Sequence, residues 1–208
     1  ILNSYLNELD AERSYFLQSD IDEFNRLRDR MDDALKTGNM QPAFAIFNIF
    51  QLRLFDRLQY LQNSLDQGFD KIDFKVNETL EFDREQAAWP KTIAELDELW
   101  RKRFKNDVLN LKLADKDLPA IAELLRKRYT NRINQARQTK SEDVYNVFMN
   151  AFTASYDPHT QYLSPSAAEN FNIQMRLSLD GIGAMLQIED EYIKVMQVIP
   201  GGAADKAG

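Results

Sequence analysis

The sequence predicts a mostly α-helical chain that ends in a short β-rich segment. Three observations support this prediction. Through most of the chain, apolar residues recur at steps of three and four, the spacing of one helix face. Five of the seven glycines fall in the last 28 residues, at Gly181, Gly183, Gly201, Gly202 and Gly208. Apolar residues alternate along that stretch, as they do in hairpin strands. We therefore expect a multi-helix N-terminal domain followed by strands.

The ends of the first helices are marked by residues that favour caps. A short helical turn is expected at residues 5–10. Ser19 suits the N-cap of the next helix because its hydroxyl can accept a backbone N–H of the first turn. Gly38 stands where a left-handed C-terminal cap belongs. A single helix is therefore predicted from Ser19 to Gly38.

The next helix is the most apolar of the chain. Pro42 suits its first turn, and the helix should run to about Gln67 and stop at Gly68. Its apolar residues lie on two faces, one with Phe47, Leu54, Leu58, Leu61 and Leu65, the other with Ile46, Ile49, Leu52 and Phe55. A helix that is apolar on more than one face is usually buried on more than one side. We expect it to be the central helix of the N-terminal domain.

From residue 69 to residue 90 the helical pattern loosens. There Phe74, Val76 and Leu80 are compatible with a short extended piece. Thr92 and Glu95 then form a capping box that opens a new helix.

Two more helices complete the helical part. One is predicted to start at Pro119 and the last at Ser141, which is placed to cap it. The last helix should end at Asp157, since a residue that precedes proline avoids helical geometry.

Composition excludes several classes of function. A net charge of −7 and a pI near 4.9 argue against general nucleic-acid binding. There is no cysteine, and no run approaches the ~18 apolar residues of a membrane span. The region between Arg101 and Lys140 nevertheless carries a formal charge of +8. It is either a patch for an acidic partner or an anionic lipid surface, or a set of solvated helix faces balanced by acidic neighbours.

Residues suited to catalysis or metal binding are sparse. His159 is the single histidine, and no cluster of His, Asp and Glu has the spacing of metal ligands, so neither a metal site nor a cofactor site is predicted. Ser155, Asp157 and His159 are close in sequence, but catalytic triads are set by fold geometry. We expect Asp157 to close a turn and His159 to tie the following linker to the helical domain.

The Gly181-Ile-Gly-Ala184 turn is the strongest candidate for a binding site. Glycines let a turn expose consecutive backbone N–H groups, and such a concavity can bind an anion. If the anion is the terminal carboxylate of a peptide, the strand that starts at Met185 can accept the peptide as an added strand, as PDZ domains do. The alternative is an ordinary hairpin turn.

Several motifs resemble the C-terminal processing peptidases, and among them the bacterial tail-specific proteases. They are Asp157-Pro-His-Thr-Gln-Tyr-Leu-Ser-Pro165, Leu177-Ser-Leu-Asp-Gly-Ile-Gly-Ala184 and Pro200-Gly-Gly-Ala-Ala204. Shorter segments at residues 16–24, 99–103 and 141–144 are also similar, so the resemblance covers nearly the whole chain. It implies an N-terminal helical domain at 1–163, a linker or hinge at 164–176 and the first, incomplete part of a PDZ domain at 177–208. Residues 171–177 are a candidate hinge.

The resemblance also implies roles for individual residues. The residues that would bind the C-terminus of a substrate are Gly181, Ile182, Gly183, Ala184, Met185 and Leu186. Ile182 and Leu186 would contribute to the apolar pocket for the terminal side chain. The family uses a Ser/Lys dyad in a domain that follows the PDZ domain. No catalytic residue is therefore expected in this chain, and Ser164 and Lys194 match no nucleophile motif.

The implied parent is a periplasmic serine endopeptidase whose substrates are proteins with apolar free C-termini. A helical-repeat outer-membrane lipoprotein is a possible adaptor, and no nucleic acid is expected as a partner. We expect the chain to be a fragment that lacks the signal peptide. Two rival interpretations are a scaffold with helical and PDZ domains but no protease, and an all-helical interaction protein whose tail is merely a hairpin.

Overall fold

The computed structural model describes residues 1–176, 181–189 and 192–207. The chain divides into two compact units, Ile1–Tyr162 and Leu163–Gly208. The first unit consists of helices and connecting segments. Its elements are α1 (Leu2–Asp10), α2 (Gln18–Asn25), a 3₁₀ turn (Arg28–Arg30), α3 (Met31–Lys36), α4 (Gln41–Asp66), α5 (Ile93–Leu113), α6 (Leu118–Gln138) and α7 (Ser141–Ala154). The predicted mostly helical fold, followed by the start of a β-containing part, is confirmed.

The segment predicted as one helix from Ser19 to Gly38 is broken in two. Helix α2 starts at Gln18 with Leu17 as its N-cap, so the prediction for Ser19 is wrong. The Asp20 carboxylate accepts the Leu17 N–H at 2.9 Å and closes the first turn instead. After α2, i→i−3 bonds tighten the backbone into the 3₁₀ turn before α3. Gly38 has a φ of +69° and lies just after α3, as predicted for a left-handed C-terminal cap.

Helix α4 is the central helix of this unit, as its two apolar faces predicted. It packs against α3, α5, α6 and α7. Ala43 and Ile46 in its first half belong to one core cluster, and Leu61 and Leu65 in its second half belong to another. One long helix thus joins two hydrophobic cores.

The two cores draw on different helices. The first also contains Tyr5, Phe16 and Phe148, from α1, the loop before α2 and α7. The second contains Leu96, Trp100, Phe104 and Val108 of α5, with Ile121, Leu125 and Tyr129 of α6. The first core therefore brings together helices from the beginning and the end of the first unit. The second core is built around α5 and α6.

Residues 67–92, which we call the strap, connect α4 to α5 without regular secondary structure. The extended piece expected around Phe74, Val76 and Leu80 is absent from the strap, all of which the structure describes. A strand needs a hydrogen-bonding neighbour, and the strap runs past helices that offer none. Instead, side chains attach it: the Phe74 ring, for example, lies 4.5 Å from the Lys112 ammonium.

The starts of α5, α6 and α7 are capped by side chains. The Thr92 hydroxyl accepts the Glu95 N–H at 3.2 Å, as the capping box predicted. Helix α6 begins one residue before Pro119, with Asp117 as its N-cap. Helix α7 has Lys140 as its N-cap, so Ser141 is its first helical residue rather than the cap. Asp143 supplies the acceptor there, receiving the Lys140 N–H at 2.8 Å.

The second unit contains α8 (Pro165–Arg176), β1 (Ala184–Glu189), β2 (Tyr192–Val198) and α9 (Ala203–Ala207). The strands are antiparallel, with Ala184 opposite Val198 and Glu189 opposite Tyr192, and a β-bulge lies after Met185. A helix occupies the predicted linker at 164–176. The predicted domain boundaries and the hinge stay predictions. Residue 177 of the hinge and residues 177–180, 190–191 and 208 of the predicted PDZ part lie outside the described residues.

The described helices include none that is long and apolar enough to cross a membrane. Within residues 1–176, 181–189 and 192–207, no group of three or more His, Cys, Asp or Glu residues could hold a metal ion.

Candidate functional site

The six predicted binding residues form a continuous stretch at the start of the hairpin. Gly181, Ile182 and Gly183 precede β1, and the other three open the strand. The large apolar side chains among them are exposed, at 60% for Ile182, 56% for Met185 and 47% for Leu186. Their surfaces are therefore accessible within this unit.

The backbone at Gly183 requires glycine. Its φ is +74°, which side-chain-bearing residues rarely adopt. A Cβ at this position would lie 2.7 Å from the Ala203 nitrogen and 2.9 Å from the Gly202 Cα. A Cβ on Gly202 would in turn lie 2.9 Å from the Gly183 Cα. The two glycines thus allow two backbone segments to pack directly on each other.

Hydrogen bonds fix this contact. The Ile199 N–H donates to the Gly183 carbonyl and the Ala204 N–H donates to the Ile182 carbonyl, both at 2.8 Å. The start of α9 is held in turn by the Gly201 N–H, which donates to the Asp205 carboxylate at 2.8 Å. The shape of the turn before β1 is consequently set by the segment that follows β2.

Sequence reasoning assigned the turn but missed this contact. The signal was present, because Gly201 and Gly202 stand in the quoted Pro-Gly-Gly-Ala-Ala motif. In the sequence, that motif served only to carry the family resemblance. The path of the chain, and not the local sequence, decides which backbone segment these glycines approach.

Strand β1 has one edge paired with β2, and among the described residues no strand covers its other edge. An uncovered strand edge presents alternating N–H and C=O groups to any extended peptide. Strand β2 is also exposed on both faces, since each of its residues is exposed. The arrangement can therefore accept an added strand beside β1.

The other candidate residues have structural surroundings. The Asp157 carboxylate accepts the His159 N–H at 3.0 Å and the Thr160 hydroxyl at 3.1 Å, so Asp157 closes a turn as predicted. The His159 side chain is exposed, which does not support the expected tie to the helical domain. The Ser164 hydroxyl accepts the Ala167 N–H at 3.3 Å and shares a bond with the Ser166 hydroxyl at 3.1 Å. Ser164 therefore serves the first turn of α8.

The fold and the site together define a helical domain followed by the beginning of a β-containing unit. Residues 1–166 match the family described as the tail specific protease N-terminal domain. Because this match covers most of the chain, the chain belongs to the tail-specific protease family. The resemblance noted in the sequence motifs is confirmed.

A curated relative supports the same family. The tail-specific protease of Haemophilus influenzae is 40% identical over all 208 residues of the chain. The chain spans 30% of the length of that relative.

Proposed function

We propose that the chain is the non-catalytic N-terminal part of a serine endopeptidase that recognises apolar free C-termini and degrades or processes the proteins that carry them. Gly183 is the observation that carries the proposal. Its left-handed backbone shapes a turn that leads directly into a strand with an uncovered edge. Membership of the tail-specific protease family supports the same function.

Recognition follows from the chemistry of the turn. Backbone N–H groups of residues 181–184 receive the terminal carboxylate of the substrate. The last residues of the substrate pair with β1 from Met185 onward, as in β-strand addition by PDZ domains. Ile182 and Leu186 contact the terminal side chain, so an apolar terminus is preferred over a charged one.

Cleavage belongs to a Ser/Lys dyad of the parent protease. In such a dyad the neutral lysine amine takes the proton of the serine hydroxyl, and the serine oxygen attacks the peptide carbonyl. No residue of this chain is assigned to that step, and the role of these 208 residues is to select the substrate.

The proposed location is the periplasm, where a helical-repeat outer-membrane lipoprotein would act as the adaptor. The proposed adaptor surface lies on the helical unit Ile1–Tyr162, which contains no assigned catalytic or peptide-binding residue. Deletion of this unit from the parent should abolish capture by the immobilised adaptor. Capture at the original level would show that the adaptor binds elsewhere.

The recognition proposal is tested with the full-length parent and one reporter protein that carries either an apolar free C-terminus or a charged tail. Gly183→Asp is a poor test because its Cβ would collide with the Ala203 backbone. Ile182→Asp instead adds a negative charge on an exposed side chain beside the proposed carboxylate. We expect it to reduce kcat/KM for the apolar-tailed reporter about tenfold or more, since like charges repel.

Ile193→Asp is the matched control. Ile193 is equally apolar, is 69% exposed and lies at the other end of the hairpin, opposite Ile188. It should leave cleavage of the apolar-tailed reporter unchanged. Equal losses in both variants would contradict recognition by this turn, and cleavage of neither reporter by the unaltered parent would favour the scaffold function.

A further inference from the structure

The strap is held mainly near its two ends, where Phe69, Ile72 and Phe74 pack against the second core and Trp89 packs against the first. From residue 67 to residue 89, all of which the structure describes, no residue is buried, and Val76 and Phe82 are 53% and 67% exposed. Its ends are fixed: the Phe69 ring stacks on Phe104, and the Pro90 carbonyl accepts the Gln18 N–H at 2.8 Å. A segment with few buried contacts opens at low free-energy cost. The middle of the strap therefore depends on a small number of polar contacts.

Glu78 makes the main polar contact of the middle. Its carboxylate receives hydrogen bonds from Arg101 and Lys105, both on α5, and forms ion pairs with both. The two cations hold the pKa of Glu78 down at about 2, Arg101 contributing most. The carboxylate is thus bound in a clamp of two cations.

Lys105 depends on the Glu78 carboxylate more than Arg101 does. Its side chain is 11% exposed, and among the described residues Glu78 is its ion-pair partner. A buried cation that loses its counter-ion is strongly destabilised. Arg101 differs, because it also binds Glu98 at 2.7 Å. When Glu78 leaves, Arg101 keeps Glu98 as a partner, whereas Lys105 loses the carboxylate that it binds in the described structure.

A small cavity lies beside the two cations. It has a volume of about 240 Å³, and its lining includes Tyr60, Ile72 and Phe104 together with Arg101 and Lys105. Pockets for small molecules usually measure about 300–1,000 Å³, so this cavity is of a size for one side chain. A carboxylate followed closely by an apolar residue matches the combination of clamp and cavity.

We propose that Arg101, Lys105 and the adjoining cavity form a binding site for an acidic segment of a partner polypeptide, and that Glu78 of the strap occupies this site as an internal competitor. The partner's carboxylate takes the place of Glu78 between the two cations, and a neighbouring apolar side chain enters the cavity. The apparent affinity for a partner is the intrinsic affinity multiplied by the fraction of time that the site is free of Glu78. The site is independent of the turn before β1.

The test uses the 208-residue chain and a fluorescein-labelled peptide with the sequence of residues 75–84, blocked at both ends. A second peptide carries Gln in place of Glu78. Fluorescence anisotropy gives the Kd of each peptide for the unaltered chain and for Glu78→Gln. We expect the acidic peptide to bind Glu78→Gln at least about tenfold more tightly than the unaltered chain, because the internal competitor has lost its charge. The Gln peptide should bind at least about tenfold more weakly than the acidic one.

Two variants serve as controls. Glu81→Gln changes another strap carboxylate, one that pairs with Arg84 at 3.5 Å, and should leave peptide binding as in the unaltered chain. Lys105→Met in the Glu78→Gln background removes the buried cation while keeping the length of the side chain, and should abolish binding.

Hydrogen exchange of the strap distinguishes the ways in which the proposal can fail. The proposal requires faster exchange across residues 69–89 in Glu78→Gln than in the unaltered chain. Unchanged exchange without peptide binding would show that Glu78 does not hold the strap, which overturns the proposal. Faster exchange without peptide binding would show that Glu78 only holds the strap in place, and this result would also overturn the proposal. Both peptides also carry Glu81 and Asp83. Equal binding of the acidic and Gln peptides would therefore exclude recognition of the Glu78 carboxylate and overturn the proposal.

Discussion

Asp10 shows how one buried side chain can organise a connection between helices. Its carboxylate accepts the backbone N–H groups of Ser14, Tyr15 and Phe16 at 2.8, 2.9 and 3.0 Å. The residue is 3% exposed, and burial raises the pKa of its carboxyl while these hydrogen bonds oppose the rise. The Ser14 carbonyl in turn accepts the Trp100 indole N–H at 2.6 Å. Asp10 therefore links the α1–α2 loop to both cores.

Asp10→Asn should destabilise the chain by about 2–4 kcal/mol, because one carboxylate oxygen becomes an amide NH₂ that faces buried N–H donors. Urea unfolding measures the change. Asp22→Asn is the control: the exposed Asp22 carboxylate accepts only the Gln18 side-chain amide at 2.9 Å in the described structure, and the variant should stay within about 0.5 kcal/mol of the unaltered chain. Equal effects would show that the three N–H bonds contribute little.

Gly183→Ala should weaken the hairpin, because the added Cβ meets the backbone of Ala203 at 2.7 Å in addition to the positive φ. Gly201→Ala is matched to it, with φ of +77° and nothing within 4 Å of the added Cβ. Hydrogen exchange at β1 should be faster in Gly183→Ala than in Gly201→Ala. Similar exchange rates would mean that backbone strain, and not the Gly183–Gly202 contact, decides the outcome.

At the scale of elements, α4 gains its stability from tertiary contact. Its central position places Leu58 fully inside, with 0% exposed surface, while Leu52 on the same helix is 55% exposed. The buried Arg57 beside Leu58 pairs with Asp97 of α5, and its guanidinium lies 5.3 Å from the Tyr60 ring. The helix is thus held by apolar packing and, at Arg57, by an ion pair to α5.

Leu58→Ala should cost about 2–5 kcal/mol of unfolding free energy, since it removes buried methyl groups and leaves a cavity. Leu52→Ala makes the same chemical change at an exposed position and should cost less than about 1 kcal/mol. Chemical denaturation of both variants gives the comparison. A loss at Leu52 as large as that at Leu58 would contradict the burial assigned to the two faces of α4.

For the whole molecule, ion pairs connect segments that are far apart in sequence. Arg53 binds Asp20 at 2.8 Å, and Arg126 binds Asp66 at 2.8 Å. Arg101 and Lys105 bind Glu78. Lys102 pairs with Glu98 and Arg103 with Glu12, each at 3.9 Å. Five cations of the basic region 101–140 are therefore paired with acids from outside it. For these five, the structure favours the interpretation of balanced helix faces over an open basic patch.

The Glu78 clamp predicts a specific pH dependence. The folded-state pKa of Glu78 lies near 2, below its ordinary value of 4.5, so its contribution to stability is complete above about pH 4.5 and is lost as the pH falls towards 2. The unaltered chain should be more stable than Glu78→Gln at pH 7, and the difference should shrink between pH 4.5 and 2. Urea titrations at several pH values measure it. A difference that is constant with pH would contradict the ion pairs.

Much of the architecture was determined by the sequence alone, because helix ends depend on local chemistry. Pro42, Gly38, Gly68 and the Thr92 cap act within one turn of the backbone, and the structure has helix boundaries at or near each of them. The candidate site was also predictable, since its six residues are contiguous. Its function as a binding site stays a prediction that the reporter experiment tests.

Only the tertiary structure decided which distant segments meet. It broke the predicted Ser19–Gly38 helix, routed the strap past α5, placed Glu78 between two cations and packed Gly183 against Gly202. Each of these features depends on groups brought together from different parts of the chain. Their free energies come from contacts between distant segments of the chain. Local periodicity and capping residues therefore do not predict them.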